Sequence, residues 1–124
     1  MPHEIQATDR FIRVIFTGHF TEADRLELGR ELPLVEATYK IFPDRMLNFT
    51  AVGKNDFEFP AIERRAAAAR ARVYPNPFKL ALVAPKPLDY GCARMYQILN
   101  DNPQVDLKIF KTRSEAEEWL ASAV

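Results

Sequence analysis

The stretch FKLALVAPKPLDYGCARMYQIL, residues 78–99, decides the fold class because it holds a strand, a turn and a helix in succession. Its first seven residues are almost all apolar, which is typical of a strand buried on both faces of a parallel sheet. Pro87 then suits the first turn of a helix, where its missing N–H group costs little. We predict a helix over residues 87–101, so this stretch is one half of a parallel crossover unit.

The rest of the chain repeats this alternation. The other strand-like runs are residues 11–18, 45–53 and 105–110, and the other helix-like runs are residues 21–39, 60–73 and 112–123. A short strand at residues 3–7 is expected to pair with the first of these through a turn at Thr8 and Asp9. We therefore predict a single α/β domain over residues 1–124, with a mostly parallel sheet of four to five strands and four helices in β-α-β-α-β-α-β-α order.

Apolar residues at helical spacing predict which helix faces meet the sheet. The stripe of the second helix is Ile62, Ala66, Ala69 and Val73, and that of the third is Leu88, Cys92, Met95 and Leu99. Thr112 and Glu115 have the spacing of a capping box at the start of the fourth helix. Pro33 lies inside the first helical run, where it is predicted to break or kink the helix.

The amino-acid composition excludes several classes of function. Of the 124 residues, 48% are hydrophobic, and 17 basic residues balance 17 acidic ones. Because a nucleic-acid-binding protein usually carries a basic excess, we expect no nucleic-acid partner. A single cysteine excludes an intrachain disulfide, and no apolar run approaches the roughly 18 residues of a membrane span. With no signal-like run at the start, we expect a soluble, cytoplasmic protein, and its zero net charge makes a homodimer plausible.

The C-terminal half, residues 78–99 followed by VDLKIFKTRSEAEEWL at 105–120, resembles the small bacterial SpoIIAA-like (STAS-like) domain family. The similarity lies in the strand, the helix opening at Tyr-Gly with Ala-Arg-Met after it, and the closing Glu-Ala-x-x-Trp-Leu helix. With the element order, it covers residues 4–122. It implies an α/β sandwich-like domain similar to anti-sigma-factor antagonists and to Sec14-type lipid carriers.

In such antagonists a partner kinase phosphorylates a serine in a loop that opens the second helix. The corresponding stretch here, GKNDFEFPAI at residues 53–62, contains neither serine nor threonine. This departure predicts that the phosphorylation switch is absent.

Loops that follow parallel strands gather at the carboxyl edge of a sheet, so residues 53–59 and 85–91 should be neighbours. The candidate partner or ligand surface there consists of Lys54, Asp56, Phe57, Phe59, Leu88, Asp89 and Tyr90. Its apolar members would be rimmed by charges that include Lys86. The alternative is that both phenylalanines fill the core.

The run ERRAAAARAR, residues 63–72, is the clearest charge feature. Arg64, Arg65 and Arg72 are predicted to share an outward wedge of the second helix, which would suit an acidic partner or an anionic lipid surface. The alternative, which we favour, is a solvated helix face.

Cys92 is the remaining candidate. A cysteine near a helix start can have a lowered pKa, but Arg94 lies on another helix face and the stripe around Cys92 favours packing. His3 and His19 stand apart from any metal-binding pattern. We therefore predict a non-catalytic regulatory or protein-binding module without a cofactor. The alternatives are a small carrier of an apolar ligand or lipid and, third, a thiol-dependent activity through Cys92.

Overall fold

The computed structural model describes residues 3–55 and 58–122, and of residues 54 and 55 the backbone alone. The strands are β1 (His3–Ala7), β2 (Phe11–Phe20), β3 (Asp44–Asn55), β4 (Phe78–Val83) and β5 (Val105–Phe110). The helices are α1 (Glu22–Glu36), α2 (Phe59–Ala71), α3 (Pro87–Leu99) and α4 (Arg113–Ala121). The strands form one sheet in the order β1-β2-β3-β4-β5, with β1 antiparallel to β2 and the other pairs parallel. The predicted fold class and the predicted hairpin of the first two strands are confirmed.

Consecutive strand order places the three crossover helices on one side of the sheet, because parallel crossovers are almost always right-handed. We call this side the three-helix face. On it, Val14 of β2 packs with Leu28 and Leu32 of α1, and Leu82 of β4 packs in the cluster that includes Ala93 of α3. Each cluster also includes Leu47 of β3, which joins the two halves of this face.

The opposite side, the one-helix face, is covered by α4. Its buried strand residues Met46, Ala81 and Val83 pack against Ala116 and Leu120 of this helix. The Thr112 side chain accepts the Glu115 backbone N–H at 3.2 Å, as the capping spacing predicts.

Glu117 fixes α4 to the strands. Its Oε1 accepts from Nη2 of Arg13 on β2 at 2.6 Å, and its Oε2 accepts from Nε of Arg113 at 2.6 Å. Burial opposes ionisation of the carboxyl group, but the hydrogen bonds from Arg113 and Arg13 outweigh it and lower the pKa of Glu117.

Asn102 joins the end of α2 to the segment before β5. Its Nδ2 donates to the carbonyl oxygens of Ala69 at 2.9 Å and Arg72 at 2.8 Å, and its Oδ1 accepts the Gln104 N–H at 2.9 Å. The side chain is buried, so these bonds satisfy groups that water does not reach.

Pro33 does not break α1: the helix continues through it for a last turn to Glu36, and the Pro33 carbonyl accepts the N–H of the C-cap residue Ala37. Two other sequence predictions are wrong in detail. Helix α2 ends at Ala71, so Val73 lies beyond it and is 86% exposed. On α3 the buried residues are Asp89 and Ala93, and Leu88 is 69% exposed. Small Ala93 makes the close contact with the sheet, which shifts the buried side of α3 by one residue from the apolar stripe.

Candidate functional site: a cavity between α2 and α3

A cavity of about 130 Å³ lies between α2 and α3 on the three-helix face. Both helices follow their strands after short turns with a proline in the first turn, so they run back over the sheet from the same edge. The apolar lining consists of Leu47 and Phe49 of β3, Leu82 of β4, Ile62 of α2 and Ala93 of α3. Ala93 presents a single methyl group where a longer side chain would fill the space.

Among the residues that the structure describes, four further side chains give the cavity polar groups: Arg65, Asp89, Cys92 and Tyr96. Burial lowers the pKa of Arg65 to about 10, and the nearby charge of Arg25 acts in the same direction. Burial also raises the pKa of the Tyr96 hydroxyl, with the charges of Arg45 and Arg65 opposing the shift. At neutral pH the cavity therefore contains a guanidinium cation and a neutral phenol.

Asp89 is 6% exposed and stands in the first turn of α3, where the helix dipole favours a carboxylate. Tyr96 lies seven residues later, which places it about 10 Å further along the helix axis at 1.5 Å per residue. Arg65 lies six residues into α2, about 9 Å along that helix. Arg65 and Tyr96 are close enough for each to influence the pKa of the other.

Cys92 is half-buried in the wall of the cavity. Burial raises the pKa of its thiol, and the charge of Asp89 raises it further. Since the thiolate is the reactive form, the surroundings of Cys92 disfavour a nucleophilic role at neutral pH.

Next to the cavity, α1 is held to the sheet by an ion pair that the sequence analysis missed. Arg45 Nη1 donates to Glu36 Oε2 at 2.9 Å, and the two side chains are 13% and 5% exposed. The Arg45 guanidinium also lies 5.5 Å from the Phe42 ring centroid and 5.0 Å from that of Phe78. Burial raises the pKa of Glu36 although Arg45 and Arg72 oppose the shift.

The predicted surface at the carboxyl edge is described in part. Phe59, Leu88 and Tyr90 are 53%, 69% and 37% exposed at the starts of α2 and α3. A hydrogen bond from Lys86 Nζ to the Val52 carbonyl ties the turn before α3 to β3, which places the two predicted loops side by side. Asp89 is buried in the cavity and is not part of an exposed rim.

The remaining members of that surface are not described. Asp56 and Phe57 lie outside the described residues, and of Lys54 only the backbone is described.

The three arginines of the predicted basic patch occupy different surroundings. Arg64 is exposed, whereas Arg65 turns into the cavity one helical position later. Arg72 is the C-cap of α2 with extended backbone, and its guanidinium lies 4.7 Å from the Tyr74 ring centroid. The structure therefore does not bring Arg65 onto one exposed face with the other two.

The described part of the chain, residues 3–55 and 58–122, shows neither a metal-binding cluster nor a membrane-spanning helix. No group of three or more histidine, cysteine, aspartate or glutamate side chains there is placed to hold a metal ion. None of the helices in that part of the chain has the length and apolar character of a membrane span.

Comparison with known proteins supports the fold. No protein-family model matches the chain, and no curated protein matches it. The crystal structure of an uncharacterized DUF3478-family protein from Shewanella loihica PV-4, described as having a SpoIIAA-like fold, superposes with a TM-score of 0.62. The match covers 95% of this chain and 91% of that one at 13% identity. At this identity the likeness establishes a SpoIIAA-like fold, as the sequence resemblance predicted.

Proposed function

From this SpoIIAA-like fold we propose that the protein is a non-catalytic binding module that takes a small, largely apolar molecule between α2 and α3. The observation that carries the proposal is the cavity, whose apolar lining comes from β3, β4, α2 and α3 together. Cavities lined by apolar side chains with a few placed polar groups are the usual form of small-molecule sites.

The volume limits what the cavity can hold. An engineered apolar cavity of about 150 Å³ in another protein binds benzene. The cavity here, at about 130 Å³, is therefore suited to one ring or a short carbon chain. A longer lipid would leave most of its chain outside.

The protonation of the Cys92 thiol favours a binding role for this residue over thiol chemistry. Its raised thiol pKa keeps the sulfur protonated at neutral pH, so the group contributes a small apolar surface to the wall.

A protein-binding module is the second candidate, favoured by the exposed apolar side chains at the carboxyl edge. Phe59 and Leu88 stand at the starts of the two helices that form the cavity. Exposed apolar residues grouped in this way commonly contact partners. A pull-down with the wild-type chain, compared with a Phe59→Ser, Leu88→Ser variant, tests this candidate, and equal recovery of partners by both would count against it.

The cavity itself is tested by titration with benzene, followed in ¹H–¹⁵N NMR spectra. We expect saturable shifts at the amides of Leu82 and Ala93 in the wild-type protein. Ala93→Leu adds three carbons inside the cavity and should abolish these shifts, whereas Ala68→Leu on the exposed side of α2 should preserve them.

Well-dispersed spectra would establish that each variant is folded. If the wild-type protein gave no saturable shifts, or if Ala93→Leu bound benzene as the wild type does, the proposal would be wrong.

A further inference from the structure

We propose that two copies of the chain associate through the outer edges of their β5 strands, which pair antiparallel with Leu107 opposite Leu107 of the second copy. The sheet then continues from one copy into the other. This inference goes beyond the proposed function, because it concerns the edge of the sheet and a second copy of the chain, not the cavity and its ligand.

The outer side of β5 is an edge with main-chain groups that point away from the sheet. Among the strands of residues 3–55 and 58–122, β5 pairs with β4 alone. The carbonyl of Phe110 points toward β4, where it accepts the Ala84 N–H at 2.9 Å. Because successive residues of a strand direct their main-chain groups to opposite sides, those of Val105, Leu107 and Ile109 point outward. Such an edge is a template for another strand.

The outward groups match those of a second copy. Pairing centred on Leu107 sets its N–H against the Leu107 carbonyl of the other copy, and the Ile109 N–H against the Val105 carbonyl. The Leu107 carbonyl already accepts Nε2 of Gln97 at 3.0 Å, but a carbonyl oxygen has two lone pairs and can accept both. The Val105 N–H donates to the Asn102 carbonyl at 3.0 Å, and the pairing does not need this donor.

Charge complementarity selects this register. Asp106 and Lys108 are exposed on β5. In the register centred on Leu107, Asp106 of each copy lies opposite Lys108 of the other, with Cα atoms about 4.5 Å apart. Sliding one strand by two residues keeps the outward groups in line, but it sets Asp106 opposite Asp106 or Lys108 opposite Lys108. Both of these registers place like charges in contact.

The other face of the paired strands is apolar. Val105, Leu107 and Ile109 are half-buried on the three-helix face. Across the new strand pair, Val105 lies opposite Ile109 and Leu107 lies opposite Leu107, and such apolar cross-strand pairs stabilise a sheet. The zero net charge of the chain adds no overall repulsion between copies.

The test is sedimentation velocity at increasing protein concentration. One pair of edge strands buries less than the roughly 1,200 Å² of a standard interface, so the wild-type dimer should dissociate in the micromolar to millimolar range. Asp106→Lys or Lys108→Asp alone should weaken association about tenfold, because both symmetry-related charge pairs change from attraction to repulsion. An equimolar mixture of the two variants should associate as tightly as the wild type, since opposite charges face each other again.

Matched controls separate this register from a general effect of charge. Glu27→Lys on α1 and Arg64→Asp on α2 make the same charge changes at exposed positions. Alone or mixed, they should associate as the wild type does. Far-UV circular dichroism establishes that each variant is folded.

Two results would overturn the inference. The first is a wild-type protein that stays monomeric up to about 1 mM. The second is a dimer that Asp106→Lys and Lys108→Asp leave equally strong, which would assign the association to another surface, such as the β1 edge. If the variants do not fold, isotope-filtered NMR of a mixed-labelled wild-type dimer decides, because the pairing requires an intermolecular Overhauser effect between the Hα atoms of Asp106 and Lys108. Its absence from a dimeric sample would also contradict the proposal.

Discussion

Replacing Glu36 with leucine should destabilise the protein by about 3 kcal/mol, because it leaves the cation of Arg45 without its partner in a largely buried position. Removing one member of a buried ion pair costs about 3–5 kcal/mol. The lower end applies here, since the rings of Phe42 and Phe78 also stabilise the guanidinium. The loss is a large part of a typical unfolding free energy of about 5–15 kcal/mol.

The measurement is urea unfolding at pH 7, followed by the fluorescence of Trp119, the only tryptophan, and by far-UV circular dichroism. In thermal unfolding the melting temperature should fall by about 12 °C, since 1 kcal/mol corresponds to about 4 °C for a chain of this size. Glu27→Leu changes an exposed glutamate on the same helix and should stay within about 0.5 kcal/mol of the wild type.

The double variant Glu36→Leu, Arg45→Met distinguishes an ion pair from general packing. With both charges removed, the loss should shrink to about 1 kcal/mol, because an apolar pair replaces a desolvated ionic one. A loss below about 1 kcal/mol for Glu36→Leu alone, or a double variant that is the least stable of the set, would refute the reasoning.

Two further predictions concern side chains whose hydrogen bonds link separate elements. Asn102→Ala removes the donor to the Arg72 carbonyl, one of the two donors to the Ala69 carbonyl and the acceptor of the Gln104 N–H, and should lower the unfolding free energy by about 2–3 kcal/mol in urea; an unchanged midpoint would contradict this. Glu117→Gln should cost up to about 1 kcal/mol at pH 7. Because the folded pKa of Glu117 is lowered, its stabilisation is present above the unfolded pKa of about 4.3 and is lost as the pH falls through the folded value. The gap between variant and wild type should therefore close in acid, and a gap that is constant from pH 7 to pH 3 would count against the ion pair.

Local patterns were enough to predict the elements of this fold. Residues 105–110 alternate apolar and polar side chains, and the structure has β5 over that range with the expected half-buried pattern. Pro60 and Pro87 fall in first turns, as a residue without an N–H group should. These signals act within a few residues, so tertiary contacts did not need to be known.

The candidate site depends on how each helix is rotated about its axis, and local sequence patterns determine this rotation less well than they determine the elements. Arg64 and Arg65 are adjacent and alike in sequence, yet a rotation of 100° separates solvent from the cavity. The sequence predicts Asp89 as part of an exposed surface, since acids are rarely buried, and only the packing of α3 through Ala93 turns it inward. The ion pair between Glu36 and Arg45 could not be predicted, because the two residues lie near the ends of their predicted elements, where charged residues are common.

The consecutive order of the strands has a consequence for synthesis on the ribosome. Each crossover helix is made before the strand that follows it, so the three-helix face can be covered step by step as the chain emerges. The one-helix face has no such cover, because α4 is made after every strand it packs on. Until its nine residues emerge, Met46, Ala81 and Val83 remain open to water on an apolar sheet surface. In a nascent chain this exposed apolar surface is the one expected to bind chaperones or to aggregate.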